Sequence, residues 1–212
     1  MIQLETVVIS ANKNETNRLE APIVVHVMTP KLFENTNSVC LAQGLSFQPG
    51  LRVETNCQNC GFQQVRINGL DGPYTQLLLD GKALFSSLNG VYGIEQIPTG
   101  MIERVEVMRG GGSALYGANA IGGTVNIITK EPLNNLFMIS HNLTAIGNSA
   151  YDNTTSLNTS LVNSQRDAGI YLFGTSRHRQ HYDHDGDHFS EIGKLKLTTL
   201  GFRSFYKPTS RT

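Results

Sequence analysis

One short stretch holds most of the side chains able to take a cation: His178, His181, His184 and His188 stand among Asp183, Asp185, Asp187 and Glu191. Carboxylates are hard oxygen donors that suit calcium, and imidazoles suit transition metals. His181, Asp183, His184, Asp185 and Asp187 therefore form a candidate set for a divalent ion. The spacing is not that of an EF-hand, because Gly186 follows Asp185 rather than the third acidic position, Asp187. The competing reading is a solvated polar loop. Cys57-Gln58-Asn59-Cys60 has the spacing of a zinc knuckle, but zinc needs four ligands and no second C-x-x-C follows. Nor does a strand run directly into a helix there, as a thioredoxin-type redox pair requires. Cys40 reads as a small packing residue in a helix. No Ser/His/Asp set or spaced carboxylate pair stands out, and Asp71 and Asp80 sit at glycine turns, where Asp is a turn former. The chain reads as no enzyme.

The elements that position these residues centre on residues 102–130. Ile102, Val105 and Val107 are strand formers, as are Val125, Ile127 and Ile128 after the Gly122-Gly123 pair. Between them Gly110, Gly111 and Gly112 turn the chain and Ser113 is placed to cap a short helix through Leu115 and Tyr116. Strand, glycine turn and helix is also the plan of a phosphate-binding loop. Yet Arg109-Gly110-Gly111-Gly112-Ser113 has neither G-x-x-x-x-G-K-[ST] nor G-x-G-x-x-G with an acidic residue about 20 positions on. A glycine-loop enzyme is thus a weaker alternative.

The run from Ile102-Glu103-Arg104-Val105-Glu106-Val107 through Arg109-Gly110, Ser113, Leu115-Tyr116-Gly117 and Gly122-Gly123 to Asn126-Ile127-Ile128-Thr129-Lys130 closely resembles the end of the plug domain in TonB-dependent outer-membrane receptors. The resemblance extends over about residues 4–132. It implies an α+β plug domain, a small mixed sheet with short helices, followed by the first antiparallel strands of a transmembrane β-barrel. The corresponding division is 1–20 for a recruiting segment and linker, 21–131 for the plug, and 132–212 for about four strands of an incomplete barrel.

Upstream, β-prone residues precede the polar run 12–18. Leu4, Glu5, Thr6, Val7, Val8 and Ile9 have no hairpin partner nearby and suit addition to another protein's sheet edge. They resemble the TonB box, which implies a TonB-like energy-transducing protein as partner. Arg66 and Arg109 occupy the places of two arginines that, in similar receptors, pair with barrel glutamates and lock plug to wall. Guanidinium suits that role because its planar fork grips two carboxylate oxygens and stays charged. The segment around Cys57 and Cys60 is similar to plugs of Bacteroidetes receptors, and an oxidising periplasm then implies a local disulfide between the two.

Residues 22–27 read as a strand, Thr29-Pro30 as the cap and first position of a short helix, and residues 38–45 as a second helix capped by Asn37, with Val39 and Leu41 toward its buried side. Residues 51–54, 64–68 and 76–80 read as further strands. Beyond Pro132, residues 135–147, 153–164, 169–179 and 194–206 alternate loosely between apolar and polar, as outer-membrane strands do. Phe137, Ile139, Leu143, Leu157 and Leu161 mark their lipid face. Residues 164–169 form a short periplasmic turn and residues 178–193 a long external loop.

With 17 Lys+Arg against 17 Asp+Glu, no basic excess points to nucleic acid. There is no apolar run of about 18 residues for a transmembrane helix, and no signal peptide at the start. These observations lead us to expect a receptor fragment in the outer membrane, its N-terminal segment periplasmic, with its own barrel as partner. The plug would gate import of a scarce small-molecule ligand, whether siderophore, haem, cobalamin or oligosaccharide, and need no cofactor. The alternative is a periplasmic or surface metal-binding module built on the Cys and His clusters.

Overall fold

The computed structural model describes residues 8–9, 16–17, 24–57, 62–84, 93–110, 113–147 and 149–207. Strands β1 (Val8–Ile9) and β2 (Thr16–Asn17) pair antiparallel, with Val8 opposite Asn17 and Ile9 opposite Thr16. This corrects the expectation that Val8 and Ile9 have no hairpin partner: residues 10–15 suffice to bring the chain back on itself. Leu4, Glu5, Thr6 and Val7 lie outside the described residues, as does Cys60.

The first unit comprises β3 (Val25–Met28), helices α1 (Pro30–Asn35) and α2 (Leu41–Leu45), β4 (Leu51–Cys57), β5 (Phe62–Ile67), β6 (Thr75–Leu79), β7 (Lys82–Ala83), β8 (Ile102–Arg109) and β9 (Gly123–Thr129), with a one-turn helix Ser113–Tyr116 before the last strand. Its five-stranded sheet has the order β3-β8-β9-β6-β7, and β4-β5 form a separate hairpin. Only β6 and β9 run parallel; the other neighbours are antiparallel. β8 and β9 lie inside the sheet, and their Val105, Val107, Val125 and Ile127, which alternate with polar residues along each strand, are fully buried on one face. Leu41, Leu45, Ile67, Ile94 and Ile102 complete the same core, each such side chain contributing about 1.5–3 kcal/mol by burial.

Asn68-Gly69 and Asp80-Gly81 have left-handed φ at both central positions, 53° and 83°, then 48° and 76°. That is the pattern of type I′ hairpin turns. Asp80 is structural in a further way: its Oδ1 accepts the Thr129 amide at 2.9 Å and its Oδ2 the Thr129 hydroxyl at 2.8 Å, tying the turn to the end of β9. Gly123 combines φ 142° with a backbone approach so close that a Cβ would stand 2.2 Å from the Met108 carbonyl oxygen. Only glycine lets β8 and β9 meet there.

Thr29 and Pro30 open α1 as expected, although Thr29 makes no side-chain capping bond. The second helix is shorter than expected. It begins at Leu41 with Cys40 as N-cap, and Asn37 has φ 49°. Residues 38–40 are held extended instead: Cys40 bridges Pro98, the Thr99 amide donates to the Val39 carbonyl and the Leu41 amide to that of Ile97. Gln43 Oε1 takes the Val39 amide at 2.8 Å in place of a helical bond.

The second unit is an antiparallel meander of β10 (Leu136–Ile146), β11 (Ala150–Val162), β12 (Ala168–Arg179) and β13 (Leu195–Tyr206). β12 ends at Arg179, as the alternating segment 169–179 predicts, with His178 and Arg179 paired to Asn153 and Asp152, so the long loop begins after Arg179 rather than at His178. No helix among the described residues is long and apolar enough to cross a membrane, which leaves strands untested.

Candidate functional site

Successive side chains of a strand point to opposite faces, so the meander's registers assign every residue to one side. Asp152, Thr154, Asn158 and Ser160 of β11, with Tyr171, Thr175 and Arg177 of β12, share a buried face. The opposite face carries Phe137, Ile139, Leu143, Leu157, Leu161, Leu172, Leu200, Phe202 and Tyr206, all exposed, Leu200 to 83%. A water-soluble sheet buries its apolar side. Here the polar side is buried and the apolar side exposed, the inversion that a lipid-facing barrel wall requires.

The polar face packs on the mixed-sheet unit through arginines. Arg177 is 2% exposed and grips Asp152 with Nε at 3.0 and 3.1 Å and Nη2 at 2.6 Å. Its Nη1 reaches the Sγ of Cys40, in the mixed-sheet unit, at 3.6 Å. Burial pushes the Cys40 thiol above its ordinary range, against the pull of the neighbouring guanidinium. On β13, Arg203 Nη1 donates to the Thr129 carbonyl at 2.9 Å and also meets the Thr129 hydroxyl. The same nitrogen lies 3.4 Å from Asp80 Oδ2, while Nη2 holds Glu131 Oε1 at 2.7 Å. Arg179 adds a longer pair to Glu95 at 3.6 Å.

Neutral contacts fill the middle. Tyr171 donates its hydroxyl to the Gly100 carbonyl at 2.6 Å, and Thr199 donates to the Gln96 carbonyl at 3.2 Å. A Cβ on Gly100 would stand 2.5 Å from Asn158 Oδ1, so the absence of a side chain is what admits this approach.

Arg66 and Arg109 lie elsewhere, near Gly50. Arg66 lines a cleft with Gly50, Glu54 and Asn68; the Arg109 guanidinium is within 2.7 Å of where a Gly50 Cβ would be and donates Nη2 to the Pro49 carbonyl. Within this chain Arg66 already has carboxylates: Nε is 2.5 Å from Glu54 Oε2 and Nη1 is 2.8 Å from Asp71 Oδ1. The first is an ion pair by distance without an aligned N–H bond. Nε of Arg66 and of Arg109 are both buried without a hydrogen-bond acceptor among the described residues.

In the long loop, carboxylate oxygens of Asp183, Asp185, Asp187 and Glu191 lie within 4.8 Å of one another. His181 and His184 are not in that group, and His184 Nδ1 faces the Tyr182 hydroxyl at 3.2 Å. The acids hold loop amides instead: Asp183 accepts from Gly186 and His188, and Glu191 from His184. The expected Cys57–Cys60 pair falls outside the described residues, since Cys60 and the Cys57 side chain are not among them. The interface residues Asp152, Arg177 and Arg203 escaped sequence reasoning. Their one visible signal was charge at alternate positions inside strands with an apolar opposite face.

The plug domain of TonB-dependent receptors, as a family, matches residues 17–124. The vitamin B12 transporter BtuB of Vibrio vulnificus (strain CMCP6) is 35% identical over 127 residues, 60% of this chain and 21% of that protein. The chain therefore spans about a fifth of the length of the curated relatives it matches. Among solved structures, the siderophore receptor PirA from Acinetobacter baumannii superposes with a TM-score of 0.72 at 23% identity, covering 88% of this chain and 29% of that one. The ferric yersiniabactin uptake receptor FyuA from Yersinia pestis gives 0.64 at 18%, covering 89% and 29%.

Proposed function

Because the chain belongs to the TonB-dependent receptor plug-domain family, whose members are outer-membrane proteins, we propose that it forms the gate and first wall strands of a transport receptor. The single observation that carries this reading is the inverted meander: its polar face is packed on the mixed-sheet plug, and its apolar face is exposed as a lipid-facing wall must be. Four strands are too few to close a barrel, so the working receptor includes further wall.

In this reading the ligand binds above the plug, occupancy changes the presentation of Leu4, Glu5, Thr6, Val7, Val8 and Ile9 to a TonB-like protein in the periplasm, and work from the inner membrane rearranges the plug. The short β1–β2 pairing is weak enough to exchange for a strand of the partner. Arg66 and Arg109, each with a buried Nε lacking an acceptor, are the plug side of a lock to wall carboxylates. Cys57 and Cys60 form a disulfide in the periplasm. The ligand class includes the cobalamin of the BtuB relative and the iron chelates of the structural neighbours, and extends to haem or oligosaccharide. The metal-module alternative is disfavoured by the family match, and the imidazoles stand apart from the loop's carboxylates.

The test is energy-dependent uptake. Cells carrying the full receptor should accumulate cyanocobalamin or a ferric siderophore only while the energy-transducing partner is present. Uptake that persists at the same rate without that partner, or no uptake across the panel, overturns the proposal.

A further inference from the structure

The strand registers sort the outward face of the meander into rows. One row runs Leu143, Asn153, His178 and Lys196, and two rows nearer the short turn another runs Ile139, Leu157, Gly174 and Leu200. On β10 the exposed apolar residues reach up to Leu143, broken only by His141, which is hydrogen-bonded to Thr155 at 2.9 Å. On β13 they stop at Leu200, four residues below Lys196 in the row of Leu143. The apolar edge thus slips by four residues over the three steps from β10 to β13. At about 3.4 Å per residue and about 4.8 Å per strand, that slip tilts the strands about 45° from the membrane normal, as in outer-membrane walls.

Above that edge the outward face of β12 and β13 turns polar and cationic. Lys196 stands about 14 Å along the strand from Leu200, hence about 10 Å above the apolar edge at that tilt. A lysine stem reaches back several ångströms, which brings the ammonium into the head-group layer, about 5–8 Å thick. Beside His178 opens a cavity of about 470 Å³, lined by Ser149, His178, Gln180, His181, Tyr182 and Lys194. Tyr182 sits so close on Gly147 that a Cβ there would overlap its phenol oxygen. These side chains supply N–H and O–H donors. Asp183 also lines the space, but both its carboxylate oxygens are taken, Oδ1 by the Gly186 amide at 2.7 Å and Oδ2 by that of His188 at 3.0 Å. Neither Lys194 nor Lys196 pairs with a carboxylate among the described residues.

Unpaired ammoniums among donors attract an anion with several acceptor oxygens, and a position directly above an apolar wall selects one that carries acyl chains. At about 470 Å³ the cavity lies within the roughly 300–1,000 Å³ of ligand pockets, room for a phosphorylated sugar. We propose that Lys194, Lys196, His178 and the cavity beside them bind the phosphorylated head group of an acylated sugar lipid in the outer leaflet. Its chains lie along Leu172, Leu200 and Phe202, all exposed on the same face. The site rests on the reading of the meander as an outer-membrane wall whose long loop is external.

The test uses the full-length receptor in detergent micelles, with diphosphoryl lipid A as probe and native mass spectrometry as readout. Lys194→Gln with Lys196→Gln should weaken binding about thirtyfold, since each lysine near a lipid surface contributes about fivefold. Lys194→Arg with Lys196→Arg should retain it. Removing both phosphates from the lipid should weaken binding to the unsubstituted receptor and change little in the double Gln variant. Equal binding of the dephosphorylated lipid, or unchanged affinity in the Gln variant, overturns the inference. Displacement by millimolar inorganic phosphate also overturns it, since that marks a site for free anions. Bimane on Leu200→Cys, with the unsubstituted receptor as blank, tests the wall itself through quenching by brominated acyl chains in vesicles. Absence of quenching fails the wall reading and the site with it, whereas quenching without phosphate-dependent binding fails the site alone.

Discussion

Replacing Arg177 by Ala should loosen the plug from its wall far more than replacing Arg203, although Arg203 makes more contacts. Arg177 and Asp152 are both wall residues, on β12 and β11, and their side chains are 2% and 10% exposed beneath the plug, so truncating the arginine leaves the docked plug covering a desolvated carboxylate, at a cost of about 3–5 kcal/mol. Arg203 is 32% exposed and its partners Asp80 and Glu131 are 37% and 57% exposed. Water screens such pairs to about 0.2–1 kcal/mol each. The chain has no Trp, but Cys40 offers a local probe, because its Sγ lies 3.6 Å from Arg177 Nη1. Maleimide labelling of Cys40 in the full receptor, with Cys57 and Cys60 replaced by Ser, should shift to lower urea in Arg177→Ala and in Asp152→Ala. A double-mutant cycle should show the two coupled, each single change costing nearly as much as both. The apolar pair Arg177→Met with Asp152→Leu should recover much of the loss. A cost under about 1 kcal/mol for Arg177→Ala, no larger than for Arg203→Ala, would refute the reading that the docked plug keeps this wall pair out of water.

Val8→Pro removes a backbone donor and fixes φ; energised import should fall while surface binding of the ligand stays, and unchanged import would sink the TonB-box assignment. Thiol titration of unreduced, unfolded protein should find about one free cysteine, Cys40, under the proposed pairing of Cys57 with Cys60; three reactive thiols would contradict that pairing. Arg66→Ala with Arg109→Ala in the full receptor should make the membrane leaky to small solutes or abolish import. The loss should exceed the about 0.2–1 kcal/mol per pair that the Glu54 and Asp71 contacts of Arg66 supply at 29% exposure. A receptor that stays tight and imports normally would show that these arginines serve only the plug's own hairpin.

Much of the fold was legible because its signals are local. The four meander strands fall within three residues of the alternating segments, and each of Phe137, Ile139, Leu143, Leu157 and Leu161 lies on the exposed face. Asn68-Gly69 and Asp80-Gly81 announce their turns by residue type. What stayed hidden depends on distant pairing. The start of α2 is decided by the segment at Pro98, against which residues 38–40 are drawn out straight. Periodicity assigns Arg177 and Arg203 to a face, yet Arg177 meets Cys40 across 137 positions and Arg203 meets Asp80 across 123. No local pattern encodes such separations. In the loop, alternating acids and imidazoles read as one ligand set, but the carboxylates converge while His184 turns to Tyr182.

The inverted wall also accounts for the kind of adhesive found inside it. When the outer face must be apolar to sit in lipid, period-two alternation frees the inner face to carry Ser, Thr, Asn and charged residues beside the aromatic contacts that Tyr171 and Phe173 make with the plug. An apolar contact would hold by its whole area and resist release. Hydrogen bonds and ion pairs hold by geometry, and once separated each partner regains much of the difference by hydration. An interface of this type is firm where water is excluded, as at Arg177, and labile where it is exposed, as at Arg203. The described contacts are thus uneven in strength, and a force applied at the N-terminal segment should part the exposed Arg203 pairs before it uncovers the buried Arg177–Asp152 pair.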